Sequence, residues 1–198
     1  MKKSTKLSVA LAAAAMAMSG FAQAQSSASS GYSMYAPGST YFGLNVGQSN
    51  YRLDNGVGGF GADQRKKAYS IYGGGYFSNN FGVELSYTDF DRINRAGGTT
   101  YANGFGASLV GKLPVAASFN LLAKVGTLYG RTEVSANPAS GIASGKEAKW
   151  GMSYGVGAEY AFSPNWSGVL QYDEYRMKFA GTGNGKVNTT SLGMRYNF

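Results

Sequence analysis

Residues 150–162 have the sequence WGMSYGVGAEYAF, in which large apolar side chains alternate with small or charged ones. Every even position, from Trp150 to Phe162, is apolar or aromatic, whereas the odd positions hold Gly, Ser, Ala and one charged residue, Glu159. A β-strand sends successive side chains to opposite faces of its sheet. The two-residue period therefore predicts a strand with one continuous apolar face.

The same period recurs in seven further segments, which cover residues 40–48, 67–77, 81–88, 101–113, 119–130, 166–175 and 187–198. Three of the connections are short turns, at residues 78–80, 114–118 and 163–165. The other four are long, polar and glycine-rich, at residues 49–66, 89–100, 131–148 and 178–186. Strands of about ten residues joined alternately by short turns and long loops are typical of outer-membrane barrels. We therefore predict an all-β fold over residues 40–198, an eight-stranded antiparallel up-and-down transmembrane β-barrel with its short turns in the periplasm.

Periodicity alone leaves open which face of these strands lies inside. A soluble barrel such as a lipocalin would bury the apolar face, and this is the alternative to a membrane barrel. The Gly- and Ser-rich face suits the narrow interior of eight strands, where the aromatics of residues 150–162 could not all pack. The predicted strand ends also carry aromatic residues, as two membrane girdles would. These are Phe77, Phe81, Phe119, Phe162, Trp166, Tyr196 and Phe198 near the short turns, and Tyr69, Tyr101, Tyr129 and Trp150 near the long loops.

The first 24 residues have the features of a secretory signal peptide. A basic segment, residues 1–6, precedes an apolar run over residues 7–18 and an Ala22-Gln23-Ala24 cleavage site. We expect export through the Sec pathway, a mature start at Gln25, and a flexible lead-in over residues 25–39. The apolar run is too short to cross a bilayer as a helix, which takes about 20 residues.

The composition argues against catalysis and cofactor binding. The chain has no Cys and no His, which excludes disulfides, Cys-based metal sites, His-ligated zinc and a Ser-His-Asp triad. Removing the three leader lysines from 18 basic residues leaves 15 against 10 acidic ones, a mild excess. Such an excess gives no reason to expect nucleic acid as a partner. We therefore expect no enzyme, no cofactor and no metal site.

Three of the predicted strands resemble those of OmpA-like outer-membrane barrels. FGVELSY at residues 81–87 resembles their third strand, GVGAEYA at 155–161 their sixth, and SLGMRYNF at 191–198 their last. The resemblance spans residues 40–198 and implies a barrel in the outer membrane of a Gram-negative bacterium. It also implies that the C-terminal Phe198 is recognised by the barrel-assembly machinery. Because the chain stops at Phe198, we do not expect the peptidoglycan-binding domain that many relatives carry.

Five charged residues fall on the predicted inward face, namely Glu84, Lys112, Lys124, Glu159 and Arg195. Antiparallel neighbours predict that Glu84 lies beside Lys112 and that Lys124 lies beside Glu159, because unpaired buried charges are costly. The OmpA-like resemblance implies an interior ion-pair network proposed to act as a gate. The chain departs from that pattern at Asn45 and Val169, where the family has basic residues, and we expect Arg195 to supply the missing charge.

Two interpretations of these charges stay open, since they could plug the lumen and fix strand register or form a regulated small pore. A catalytic carboxylate pair is the least favoured reading. A basic rim near the predicted outer strand ends could contact lipopolysaccharide phosphates or merely be solvated. It comprises Arg65, Lys66, Lys67, Arg131, Lys149, Arg176, Lys178 and Lys186. The primary expectation is a structural and surface-interaction protein that presents four loops to host or phage ligands. The alternatives are a narrow gated ion pore and a soluble ligand-binding barrel.

Overall fold

Eight antiparallel strands close into a barrel in which each strand pairs with the next and β8 pairs with β1. The computed structural model describes residues 38–53 and 65–198. The strands are β1 Thr40–Arg52, β2 Arg65–Tyr76, β3 Phe81–Arg95, β4 Gly98–Ala116, β5 Phe119–Ser135, β6 Gly145–Ala161, β7 Trp166–Phe179 and β8 Gly183–Asn197. The predicted eight-stranded up-and-down topology is confirmed. The predicted signal peptide, residues 1–24, lies outside the described residues, as does all but the end of the lead-in.

The apolar face of the strands points away from the barrel axis. Leu192 and Met194 are 62% and 50% exposed, whereas Glu159 and Arg195, which alternate with such residues, are fully buried. This arrangement is the inverse of a soluble barrel, whose exterior is polar. Among the described residues no helix is long and apolar enough to cross a membrane.

The strands extend further at the long-loop end than the sequence predicted. Only Ala96 and Gly97 separate β3 from β4, and their φ values of 52° and 66° give the left-handed pair that a tight hairpin turn requires. The β5–β6 ladder likewise continues through Arg131↔Ala148 to Val134↔Gly145. Residues 89–100 and 131–148 were predicted as loops because their polar side chains show no apolar period. That prediction is wrong for residues 89–95, 98–100, 131–135 and 145–148, which are strands.

The β2–β3 ladder ends early, at Tyr69↔Asp89, so that the first residues of β2 pair only with β1. A register shift between Asp89 and Arg92, with Asp91 at a φ of 59°, turns β3 away at this point. Side chains of β1 bond the backbone oxygens left on β3. Ser49 Oγ donates to Phe90 O at 2.9 Å, and Tyr51 Oη donates to Asp91 O at 2.8 Å. The gap between the outer ends of β2 and β3 is therefore bridged on the inside by side chains of β1 rather than by strand pairing.

Candidate functional site

Two buried carboxylates and two cations meet in the half of the lumen near the short turns. Glu84 Oε1 accepts a hydrogen bond from Lys124 Nζ at 2.5 Å, and Tyr41 Oη donates to Glu84 Oε2 at 3.0 Å. Glu159 Oε1 lies 3.3 Å from Arg195 Nη1. Arg195 Nη2 lies 3.8 Å from Glu84 Oε2, so one guanidinium lies between both carboxylates. We call these four residues the lumen ion network.

Aromatic rings enclose the cations of this network. The Arg195 guanidinium carbon lies 4.1 Å from the centre of the Tyr41 ring and 5.4 Å from that of Tyr72, and Nη1 donates to Tyr76 Oη at 3.4 Å. Lys124 Nζ lies 5.0 Å from the Tyr72 ring centre, and outside the network Lys112 Nζ lies 4.3 Å from that of Tyr76. Cation–π contacts of this kind gain strength when the cation is desolvated. The rings therefore help to keep a fully buried arginine charged within the barrel.

The predicted partners within the network are wrong. Glu84 contacts Lys124 and Arg195 rather than Lys112, and Glu159 contacts Arg195 rather than Lys124. The register explains the difference, since Glu84 is level with Ser108 and not with Lys112 on the adjacent strand. The shear of a narrow barrel instead brings together side chains from strands that are not neighbours. The alternation of side chains within single strands could not show these contacts.

A polar region lies on the outer side of the network, toward the long loops. Asn45 Nδ2 donates to Gln171 Oε1 at 3.2 Å, and Gln171 Nε2 donates to both carboxylate oxygens of Asp173 at 2.9 Å. These side chains, with Glu84 and Lys124, line a cavity of about 30 Å³. Such a volume has room for a water molecule or two and no larger guest. Asp173 lies on the inward face of β7 but was not among the inward charges predicted from the sequence.

Apolar side chains fill the lumen beyond this cavity, at the end where the long loops were predicted. We call this cluster the apolar plug, which contains Tyr51, Phe90, Ile93, Ala96, Ala102, Leu128, Val134, Ile142, Tyr175, Met177, Phe179 and Val187. The Phe90 and Tyr175 rings meet edge to face at 5.0 Å, and Phe90 and Phe179 are fully buried. The sequence analysis missed the plug. Tyr175, Met177 and Phe179 keep the two-residue period of β7, but the predicted strand ended at Tyr175 and Phe179 was assigned to a loop.

The predicted girdle residues lie on the outside of the barrel at its two levels. Near the short turns, Trp166 stacks edge to face on Tyr196 at 5.0 Å, and Tyr196 does so on Phe198 at 4.9 Å. Phe77, Phe81, Phe119 and Phe162 are exposed at the same level. At the other level, Tyr129 packs on Trp150 at 5.2 Å and Tyr69 is half exposed. Tyr101 is half-buried, and its hydroxyl donates to Asp89 Oδ2 at 2.7 Å.

Beyond the second girdle, several charged residues on the outside of the barrel form ion pairs. On the β5–β6 wall, Lys146 pairs with Glu133 at 3.2 Å. On β7 and β8, Glu174 lies 3.2 Å from Lys186 and 3.9 Å from Arg176. Exposed pairs of this kind contribute little to stability. Within residues 38–53 and 65–198, no three His, Cys, Asp or Glu side chains lie close enough together to hold a metal ion.

Comparison with known proteins gives a family and several similar structures. A family model described as an outer membrane protein beta-barrel domain matches residues 8–198. Neisserial surface protein A is 16% identical with a TM-score of 0.63, covering 80% of this chain and 97% of that one. The attachment invasion locus protein Ail of Yersinia pestis is 20% identical with a TM-score of 0.54, covering 81% and 98%. OprG of Pseudomonas aeruginosa is 15% identical with a TM-score of 0.53, covering 83% and 97%. No curated protein sequence matches the chain.

Proposed function

This chain belongs to the outer-membrane β-barrel family, and we propose that it is a non-conducting barrel that acts through its extracellular surface. Membership of this family implies the outer membrane of a Gram-negative bacterium, with the apolar exterior in lipid. The proposal places the exposed aromatic residues at the two membrane interfaces. Export through the Sec pathway and recognition of Phe198 by the assembly machinery belong to the same proposal. The apolar plug and the outer strand ends then face the cell exterior.

The side chains that fill the lumen support the proposal that the barrel does not conduct ions. An ion that entered from the periplasm would meet Arg195, held between Glu84 and Glu159. Beyond the cavity of about 30 Å³ it would meet the fully buried rings of Phe90 and Phe179. Moving an ion through such apolar packing costs far more than moving it through water. The alternative, a narrow gated pore, requires both the lumen ion network and the apolar plug to move.

The surface carries the interaction part of the proposal. The proposal includes no catalytic role, since the chain has no His and no Cys, and no described cluster of carboxylates forms a metal-ligand set. The strands extend beyond the girdle and display a rim that includes Arg65, Lys67, Arg131 and Lys149. Ail has been crystallised in complex with the heparin analogue sucrose octasulfate. By extension, we propose anionic ligands for the β2 part of this rim, Arg65 and Lys67, with lipopolysaccharide and a polyanionic host or phage surface as the candidates.

Conductance in planar bilayers tests the closed lumen. We expect the wild-type protein to give no single-channel steps, and we expect Glu84→Ala to give none either, because the apolar plug remains in place above it. An open porin inserted into the same bilayer verifies that steps are detectable. Reproducible steps from the wild-type protein that change size in Glu84→Ala would replace this proposal with the gated pore.

Protease treatment of intact cells tests which end faces outward. We expect proteinase K to cut the connection at residues 136–144, which joins β5 to β6 at the extracellular end. The turns at residues 78–80 and 163–165 should be cut only after the outer membrane is permeabilised. Cleavage of those turns in intact cells, with residues 136–144 protected, would reverse the orientation and move the proposed surface to the periplasm.

A further inference from the structure

The outer wall formed by β8, β1 and β2 carries an open groove of about 790 Å³ at the level of Tyr69. Its apolar floor consists of Val46, Leu170 and Leu192, which are 54%, 54% and 62% exposed. Three basic residues and one acidic residue, Asp91, also line the groove, the basic ones being Arg65, Lys66 and Lys67. We call this surface the cationic groove.

The strand register arranges the groove as a gradient from apolar to cationic. Rows of paired residues that point the same way are about 7 Å apart along a strand. The lowest row is apolar, the second mixes neutral and basic residues, and the upper two are polar and basic. In order outward, the rows are Leu192–Val46–Tyr69, Thr190–Gln48–Lys67, Asn188–Asn50–Arg65 and Lys186–Arg52. A ligand that spans the floor and the upper rows must itself be apolar at one end and anionic at the other.

Three of the cations on this wall have no carboxylate partner among the described residues. Arg52, Arg65 and Lys67 form no ion pair with any carboxylate of residues 38–53 and 65–198. Across the barrel, on the β5–β6 wall, Lys146 is paired with Glu133. Asp91 Oδ1 already accepts the backbone N–H of Arg92 at 2.7 Å. The positive charge of Arg52, Arg65 and Lys67 is therefore not cancelled by a described carboxylate.

From this arrangement we infer that the cationic groove binds a phosphorylated glycolipid of the outer leaflet, of the lipid A class. The glycolipid phosphate pairs with Arg65 and Lys67, and its acyl chains lie along Val46, Leu170 and Leu192. Arginine and lysine are the side chains that bind phosphate through charge-assisted hydrogen bonds. An exposed apolar floor continuous with the lipid-facing surface favours a membrane lipid over a soluble anion. The inference deepens the anionic-ligand proposal and rests on its placement of the rim in the outer leaflet.

A lipid titration by native mass spectrometry tests the assignment. The purified, folded wild-type barrel in detergent is titrated with diphosphoryl lipid A, with lipid A stripped of its phosphates, with inorganic phosphate and with a heparin oligosaccharide. The test variant is the double substitution Arg65→Gln/Lys67→Gln. Its matched control, Arg131→Gln/Lys149→Gln, removes the same charge from the opposite wall. Heat-modifiable gel migration verifies that all three proteins are folded.

We expect the wild-type and control proteins to bind diphosphoryl lipid A with similar affinity. The test variant should bind about thirtyfold more weakly, on the basis of two cations each contributing to anionic-lipid binding. Binding of phosphate-free lipid A by the wild type should be as weak as in the test variant. Inorganic phosphate alone should give no retained complex.

Three outcomes would overturn the inference. Equal weakening in the test and control variants would indicate general charge attraction, and unchanged binding in the test variant would exclude the groove. Tighter retention of a heparin oligosaccharide than of lipid A, lost in the test variant, would reassign the groove to a sulfated polymer. None of these outcomes bears on conductance or on protease accessibility, so a failed lipid site remains distinguishable from a failure of the proposed function.

Discussion

Replacing Arg195 with Ala is expected to lower the free energy of unfolding of the barrel by about 3–5 kcal/mol, the usual cost of breaking a buried ion pair on one side. Arg195 and Glu159 are fully buried, and Glu84 is 4% exposed. Without the guanidinium, Glu159 loses its ion pair with Arg195, and Glu84 keeps Lys124 as its ion-pair partner. The cation–π contact with Tyr41 is lost as well.

Urea titration in detergent, followed by the heat-modifiable gel shift, measures this effect. The matched control is Arg131→Ala, which removes an exposed arginine and should change stability by no more than about 0.5 kcal/mol. A double variant, Arg195→Met/Glu159→Gln, should recover much of the loss, because it removes both charges and keeps the volume. If Arg195→Ala unfolds at the same urea concentration as the control, the lumen ion network does not stabilise the barrel.

Replacing Phe179 with Ala is expected to cost a similar amount, about 3–5 kcal/mol, through a cavity in the apolar plug. The Phe179 side chain is fully buried, and its ring lies 6.4 Å from that of Tyr51 across the lumen. The neighbouring strands are hydrogen-bonded and cannot collapse freely into the space left behind. The control is Phe162→Ala, since Phe162 faces outward and is 54% exposed, and we expect it to lose less than half as much.

Hydrogen exchange locates the same effect along the chain. In Phe179→Ala, amide exchange should speed up at residues 176–188, which form the outer end of the β7–β8 hairpin. It should stay unchanged at residues 190–197, which lie in the membrane-spanning part of β8. Uniform acceleration along both strands would indicate global destabilisation, and it would contradict a plug that packs as a local unit.

The face of each membrane-spanning strand could be predicted from the sequence because lipid imposes a strict two-residue period. Residues 150–162 carry this period in their large and small side chains, and Glu159 and Arg195 lie inward as expected. The partners of those charges could not be predicted, because they depend on shear. Lys124 reaches Glu84 from a strand two places away, a contact that no pairwise alternation shows.

Prediction from the sequence also failed where the strands leave the bilayer. Outside lipid, the outward positions become polar, and only the inward positions continue the alternation, as Tyr175, Met177 and Phe179 do. The sequence analysis gave more weight to the polar and glycine-rich composition of residues 178–186 than to this inward period. The lumen therefore has two parts, a charged part within the membrane and an apolar part beyond it toward the long-loop end. Only the charged part was predicted from the sequence.

The early end of the β2–β3 ladder has a mechanical consequence. Separating two paired strands means breaking a row of backbone hydrogen bonds, whereas residues 65–68 are paired on one side only. Two hydroxyl groups of β1, those of Ser49 and Tyr51, bridge the gap. On heating, β2 and β3 should separate readily at this join, next to the cationic groove, and a lipid bound there would hold the two strands together.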